Sequence, residues 1–173
     1  SPTVHSDNCY NIVTVEGSNT VVDGFTIRDA YSQVSRGSGL IVLQSATALA
    51  ADHHVTIRNV KFINNYGKYG GGLGTAHENT TSFNYVDVIN CEFEGNWADI
   101  YGGAATMACV SANTKVSFTN CLFNNNNTQE NGDFLDTSPN MNVEVTNCTF
   151  ANNATGTGNV IYNRGTMKLR NSI

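Results

Sequence analysis

The sequence predicts an all-β fold, a right-handed parallel β-helix of about five to six coils, and three observations predict it. The motif F-x-x-N occurs four times, at Phe62–Asn65, Phe93–Asn96, Phe123–Asn126 and Phe150–Asn153. A short run alternating apolar and polar residues precedes each copy, and a glycine-led apolar patch follows about ten residues later. Self-similarity at this period marks small units that cannot bury an apolar face alone and so stack into a solenoid.

Taken in order, each element has a local reason. The alternating runs are Val55-Thr-Ile57, Val86-Asp-Val88, Val116-Ser-Phe118, Val143-Glu-Val145 and Met167-Lys-Leu169. Period-2 alternation over so few residues reads as a strand with one buried face. An asparagine closes each run, at Asn59, Asn90, Asn120, Asn147 and Asn171, with spacings of 31, 30, 27 and 24 residues. Asn tolerates left-handed backbone angles and so suits a sharp corner. At one register, amides also bond one another up a stack. The two columns Asn59/90/120/147/171 and Asn65/96/126/153 are therefore expected to be structural ladders, not ligands. The second apolar patch follows glycine at Gly72-Leu73, Gly103-Ala104, Gly132-Asp-Phe134-Leu135 and Gly158-Asn-Val160-Ile161. A divergent copy runs from Val21 to Ile27 and on to Gly39-Leu40-Ile-Val42. Each unit thus holds two or three short strands, paired in parallel with neighbours about 4.8 Å away. The whole of 1–173 reads as one domain, with divergent coils over 1–54 and regular ones over 55–173. It is expected to be an internal piece of a longer protein, truncated at both ends, because neither end shows a capping helix.

The F-x-x-N and G-G-A-[ILV] alternation resembles the repeat of chlamydial polymorphic membrane proteins and of related bacterial surface β-helix proteins. Its second half is closest at Gly71-Gly72-Leu73 and Gly102-Gly103-Ala104. The resemblance implies an extracellular or bacterial cell-surface passenger, often adhesive. Its partners would be a glycan or a host or cell-surface protein, together with further coils of the same protein. A shared solenoid does not carry shared chemistry, so activity must be argued from sites.

Composition narrows the classes. The chain has 173 residues, 13% of them charged, and a net charge of −5, which disfavours nucleic acid as a partner. No segment approaches the roughly 18 apolar residues of a membrane-spanning helix. Cys91, Cys121 and Cys148 each follow a corner asparagine and are expected to be buried free thiols, since the strand spacing exceeds the ~3.8 Å Cβ separation of a disulfide. A bridge between Cys9 and Cys109 stays open. Asn79, in the sequon Asn79-Thr-Thr, is the one loop position suited to accept a glycan.

Chemistry should sit in the loops 46–54, 74–84, 106–114, 136–141 and 162–166, which lengthen toward the N-terminus at one corner. Asp52-His53-His54 and His77-Glu78 fall there in adjacent coils. Imidazole and carboxylate together suit a transition metal, yet adjacent histidines seldom point the same way and no spacing matches a metal motif. No metal and no cofactor is therefore assigned. Tyr66 and Trp97 follow equivalent asparagines and are expected to stack, with Tyr69 and Tyr101 a few residues on. These four aromatics are the candidate binding residues, suited to sugar rings, against the alternative that they only cover a corner. Asp and Glu are scattered, and no pair faces across a cleft as hydrolysis needs. Thr56, Asp87, Ser117, Glu144 and Lys168 fill the outward slot, too mixed for a flat threonine face that binds ice or crystals. The function expected is a structural or adhesive β-helix module with no catalytic site of its own. The alternative is a fragment of a carbohydrate-active β-helix, whether polysaccharide-binding, lyase or hydrolase.

Overall fold

In the computed structural model, which describes residues 9–45, 52–110, 112–152 and 159–173, the chain winds into a parallel β-solenoid of about five turns. The first coil holds β1 (Val13–Val15), β2 (Thr20–Asp23), β3 (Thr26–Arg28) and β4 (Tyr31–Arg36). The second holds β5 (Leu40–Gln44), β6 (His53–Arg58), β7 (Lys61–Ile63) and β8 (Tyr66–Tyr69). The third holds β9 (Leu73–His77), β10 (Asn84–Ile89), β11 (Glu92–Glu94) and β12 (Trp97–Tyr101). The fourth holds β13 (Ala105–Cys109), β14 (Thr114–Thr119), β15 (Leu122–Asn124) and β16 (Asn127–Thr128). After β17 (Leu135–Thr137), β18 (Asn142–Thr146) and β19 (Thr149–Ala151), the strands β20 (Ile161–Asn163) and β21 (Thr166–Arg170) open another turn.

Strands of successive coils pair into four parallel sheets. Sheet I is β1-β5-β9-β13-β17-β20, sheet II is β2-β6-β10-β14-β18-β21, sheet III is β3-β7-β11-β15-β19, and sheet IV is β4-β8-β12-β16. A full coil therefore has four strands where the sequence suggested two or three. The three-residue strands of sheet III and the polar strands of sheet IV are too short to show a period. Among the described residues no helix is long and apolar enough to cross a membrane.

The alternating runs form sheet II in the expected register, with Val86 opposite Val55 and Val116, and Val88 opposite Ile57 and Phe118. Their inward residues join one continuous core with Leu40, Leu73, Ala105 and Leu135 of sheet I. Inside sheet III the motif phenylalanines pile ring on ring. Phe62, Phe93, Phe123 and Phe150 sit 4.7, 4.8 and 5.0 Å apart, with ring planes within 13° of parallel. Gly72 faces this column, and a Cβ there would stand 3.2 Å from the Phe93 ring. Two coils later Phe134 occupies the equivalent place and meets Phe123 edge-on at 6.2 Å. This replacement explains why the glycine half of the repeat fades toward the C-terminus.

The two asparagine columns divide their work. Asn59, Asn90, Asn120, Asn147 and Asn171 all adopt left-handed angles, with φ of 54, 53, 54, 53 and 47°, at the corner between sheets II and III. Their side chains are exposed or half-exposed, and the amides of this column bond each other only from Asn120 to Asn90, at 3.3 Å. This column turns the chain and is not a buried ladder, because the left-handed corner swings the side chain away from the core. Asn65, Asn96 and Asn126 are the reverse, at 1%, 1% and 0% exposed. The Asn65 amide donates to Asn96 Oδ1 at 2.9 Å, and the Asn96 amide to Asn126 Oδ1 at 2.9 Å. Each amide also donates into the coil before, to Ile27, Phe62 and Phe93 carbonyls at 3.0, 2.9 and 2.9 Å. Asn153, expected to continue this column, lies outside the described residues.

All five cysteines are free, so the Cys9–Cys109 bridge does not form. Cys91, Cys121 and Cys148 are buried, each donating its thiol to a backbone carbonyl two residues back at 3.4 Å. Asn79 is only 5% exposed. Its Oδ1 accepts from the Thr81 and Ser82 amides at 2.9 and 3.0 Å, which makes it the anchor of the loop and not an accessible glycan acceptor.

Candidate binding groove

The site grows from the corner where sheet IV turns into sheet I. Gly37, Gly70, Gly102 and Gly132 sit there with φ of 55, 65, 68 and 72°, a conformation that glycine adopts without strain. Just before this corner the strands of sheet IV differ in length. Ser32 and Arg36 pair with Gly67 and Tyr69, and Ala98 and Tyr101 pair with the same two residues. The extra residues of β4 and β12 are absorbed as bulges, which re-aim side chains at the end of a strand. The result is one row, Arg36, Tyr69, Tyr101 and Asn131, at the edge of sheet I.

Tyr69 and Tyr101 lie 6.1 Å apart, and Tyr162 of β20 adds a third ring 6.3 Å from Tyr101. Cations approach these faces from both ends of the stack. The Arg36 guanidinium lies 4.9 Å and the Lys68 ammonium 5.6 Å from the Tyr69 centroid. Arg164 reaches back to 5.4 Å from Tyr101 and 5.5 Å from Tyr162. Such contacts favour a cation over a ring face. The negative charge of Glu130, followed by burial, holds the Tyr101 hydroxyl proton above its ordinary value.

Asp136 anchors Arg164. Its side chain is 4% exposed, and Arg164 Nη2 donates to both carboxylate oxygens at 3.1 Å while Thr106 Oγ1 donates to one at 3.1 Å. Burial raises the carboxyl above its usual range, and the charge of Arg164 is the largest influence the other way. Period-2 alternation puts Thr106, Asp136 and Tyr162 in one row on the outer face of sheet I. Ala76 and Ala108 lie two residues beyond that row and floor a shallow trough.

Two cavities run along this trough, and both touch Ala76 and Glu78. One, of about 300 Å³, is lined by Arg36, Asp136 and Arg164 on one side and by Cys109, Val110 and Ser138 on the other. The second, of about 310 Å³, is lined by Glu16, Leu43, Gln44, Ser45, Ala76 and Glu78. The groove therefore crosses several coils, with the sheet IV corner as one wall and the loops of the sheet I–II corner as the other.

Of the four aromatics singled out in the sequence, Tyr69 and Tyr101 stand beside this groove, packed against the Arg36 and Arg164 side chains that line it, whereas Tyr66 and Trp97 begin the same strands at the opposite end of sheet IV. The expected Tyr66–Trp97 stack does not form, although the two residues are Cα partners. Tyr66 instead stacks on Tyr31, at 4.7 Å and 16°, and its hydroxyl donates to Asp99. Burial and then that bond hold its proton well above the ordinary tyrosine range. Arg36, Asp136, Tyr162 and Arg164 stand out in the structure but not in the chain. They come from different coils and meet because long side chains reach along the stack.

At the floor of the sheet I–II corner, His53 and His54 point to opposite faces of β6, as neighbours on a strand must. His54 stacks on Tyr85 outside, at 4.5 Å. His53 turns inward and meets His77 edge-on, centroids 5.8 Å apart. Burial pushes the His77 imidazole down to about 4, with the charge of His53 adding to it. Burial also lowers His53, the main chain at Glu16 and Gly17 partly offsetting it. Burial thus favours the neutral form of both rings. Among the described residues no three His, Cys, Asp or Glu side chains form a ready metal cluster. Compared with known protein families, with curated proteins and with solved structures, the chain matches none of them.

Proposed function

We propose that this β-solenoid is an extracellular, bacterial cell-surface module of the kind built on chlamydial polymorphic-membrane-protein-like repeats. It holds an extended glycan along sheet I without transforming it. The observation that carries the reading is the row Tyr69, Tyr101 and Tyr162 beside a groove that crosses the coils. A row of aromatic rims interleaved with guanidinium groups along a concave edge offers apolar contact for a chain of sugar rings, and the guanidinium and carboxylate groups supply hydrogen bonds for sugar hydroxyls. The polar groups of the groove support holding over cutting. Asp136, the buried carboxylate of the groove, is committed to Arg164 and Thr106.

Affinity electrophoresis through gels cast with acidic and neutral polysaccharides tests this. The parent chain is expected to be retarded in at least one gel without clearing it. Tyr101→Ala, removing the central ring, should weaken that retention by about 2- to 12-fold, corresponding to a stacking contribution of roughly 0.5–1.5 kcal/mol. Trp97→Ala, at the far end of the strand, should leave it unchanged. Clearing zones would make the chain part of a glycan-cleaving enzyme, and free migration in every gel would remove glycan as the ligand.

A further inference from the structure

A second, independent feature lies behind the groove. Among the described residues eight buried side-chain nitrogen and oxygen atoms have no well-formed hydrogen bond, and six of them belong to Gln44, His53, His77 and Asn84; the His53 ring faces the main chain of Glu16 and Gly17 at a geometry too poor to satisfy it. These four residues form one cluster by register. Gln44 is the Cα partner of His77 at the end of sheet I, and His53 that of Asn84 at the start of sheet II. They are 5%, 1%, 3% and 0% exposed, respectively. An orphaned buried polar atom costs on the order of 1–3 kcal/mol, so six gathered in one place call for an occupant that the protein itself does not provide.

The chemistry of the set narrows that occupant. The Gln44 and Asn84 oxygens accept only, and each neutral imidazole presents one lone pair, giving four acceptor positions against two N–H donors. A cation matches such a surplus. A metal about 2.0–2.1 Å from one nitrogen of each ring allows ring centroids up to roughly 6 Å apart, and the observed separation is 5.8 Å. Imidazole nitrogen suits late first-row metals. Two carboxylates stand where charge compensation is needed: Glu16 and Glu78 line the same cavity of about 310 Å³ as Gln44, and Glu78 follows His77 directly in the chain.

The geometry points to a binding site for a divalent late first-row ion such as zinc, cobalt or nickel at the sheet I–II corner. One nitrogen each of His53 and His77 ligates it, the amide oxygens of Gln44 and Asn84 complete the set, and Glu16 and Glu78 supply negative charge at the entrance. The ion ties four strands, β5, β6, β9 and β10, across two coils at the sheet I–II corner, which stiffens the wall of the groove. This inference does not rest on the identity of the groove's ligand.

Chelator-treated protein titrated with Co²⁺ tests it. One equivalent is expected to bind with the visible absorption of nitrogen-ligated cobalt, and Zn²⁺ should displace it and raise the thermal midpoint. His53→Gln and His77→Gln should each abolish the absorption. Should either variant fail to fold, Glu78→Gln serves instead: it alters an exposed side chain and should weaken Co²⁺ several-fold with the metal-free midpoint unchanged. Absence of uptake by the parent overturns the inference and assigns the space to ordered water. Uptake that persists in both histidine variants overturns it by placing the ion elsewhere.

Discussion

Replacing Asn96 by alanine should cost about 3–5 kcal/mol, a large share of the roughly 5–15 kcal/mol that holds a domain together. Asn96 Oδ1 accepts from both the Asn65 main-chain amide and the Asn65 side chain, at 3.1 and 2.9 Å. Its Nδ2 donates to Asn126 Oδ1 and to the Phe62 carbonyl, both at 2.9 Å. Alanine removes all four bonds at a site that is 1% exposed, so the Asn65 amide is left buried without its partner. Water cannot reach it, and each such orphan costs on the order of 1–3 kcal/mol before the lost packing is counted. The corner asparagine Asn120 is the control. Its φ of 54° penalises alanine by about 1–2 kcal/mol, while Asn120→Gly, which adopts that angle freely, should be close to neutral. Urea denaturation of the three variants separates the roles. Equal losses for Asn96→Ala and Asn120→Ala would remove the buried ladder as a distinct source of stability.

That contrast also shows what was legible in the chain. The repeat of F-x-x-N and its alternating run carries the fold, since stacking needs only a period and an apolar face. Both asparagine columns were visible, but sequence alone does not say that one is turned outward. The difference lies in one backbone angle: Asn59 and its equivalents are left-handed, whereas Asn65 and its equivalents follow a left-handed residue, Asn64, Gly95 or Asn125, and point in. Sheet IV was not legible, because bulges at Ser32–Arg36 and Ala98–Tyr101 break its register. Those same bulges set Arg36 beside Tyr69, so the groove follows from an irregularity that no period reveals. The His53 and His77 pairing could be anticipated from their place in adjacent coils. The orphaned amides of Gln44 and Asn84 beside them could not, since their lack of partners is a property of the packed interior.

Phe93→Ala should be as damaging, about 3–5 kcal/mol, and for a different reason. The ring is fully buried, lies 4.7 Å from Phe62 and 4.8 Å from Phe123 with planes 8° and 3° from parallel, and meets Phe118 edge-on at 6.4 Å. Truncation leaves a cavity whose walls are strands locked by parallel pairing above and below, so the site cannot collapse, and costs at the upper end of the range follow. A solenoid adds a consequence that a globular core lacks. Each coil touches only its neighbours, so a gap in the third coil weakens the coupling between the two halves of the stack. Denaturation of Phe93→Ala should therefore show a lower midpoint together with a smaller slope, the sign that the halves no longer unfold as one. Phe150→Ala, half-buried with its nearest motif ring, Phe123, at 5.0 Å, should cost only about 1–2 kcal/mol and keep the parent's slope. Phe93→Leu, which fills most of the space, should cost far less than Phe93→Ala, at about 1–1.5 kcal/mol. A Phe93→Ala protein that unfolds at the parent's midpoint would mean that the aromatic column is a passenger on the hydrogen-bonded sheets.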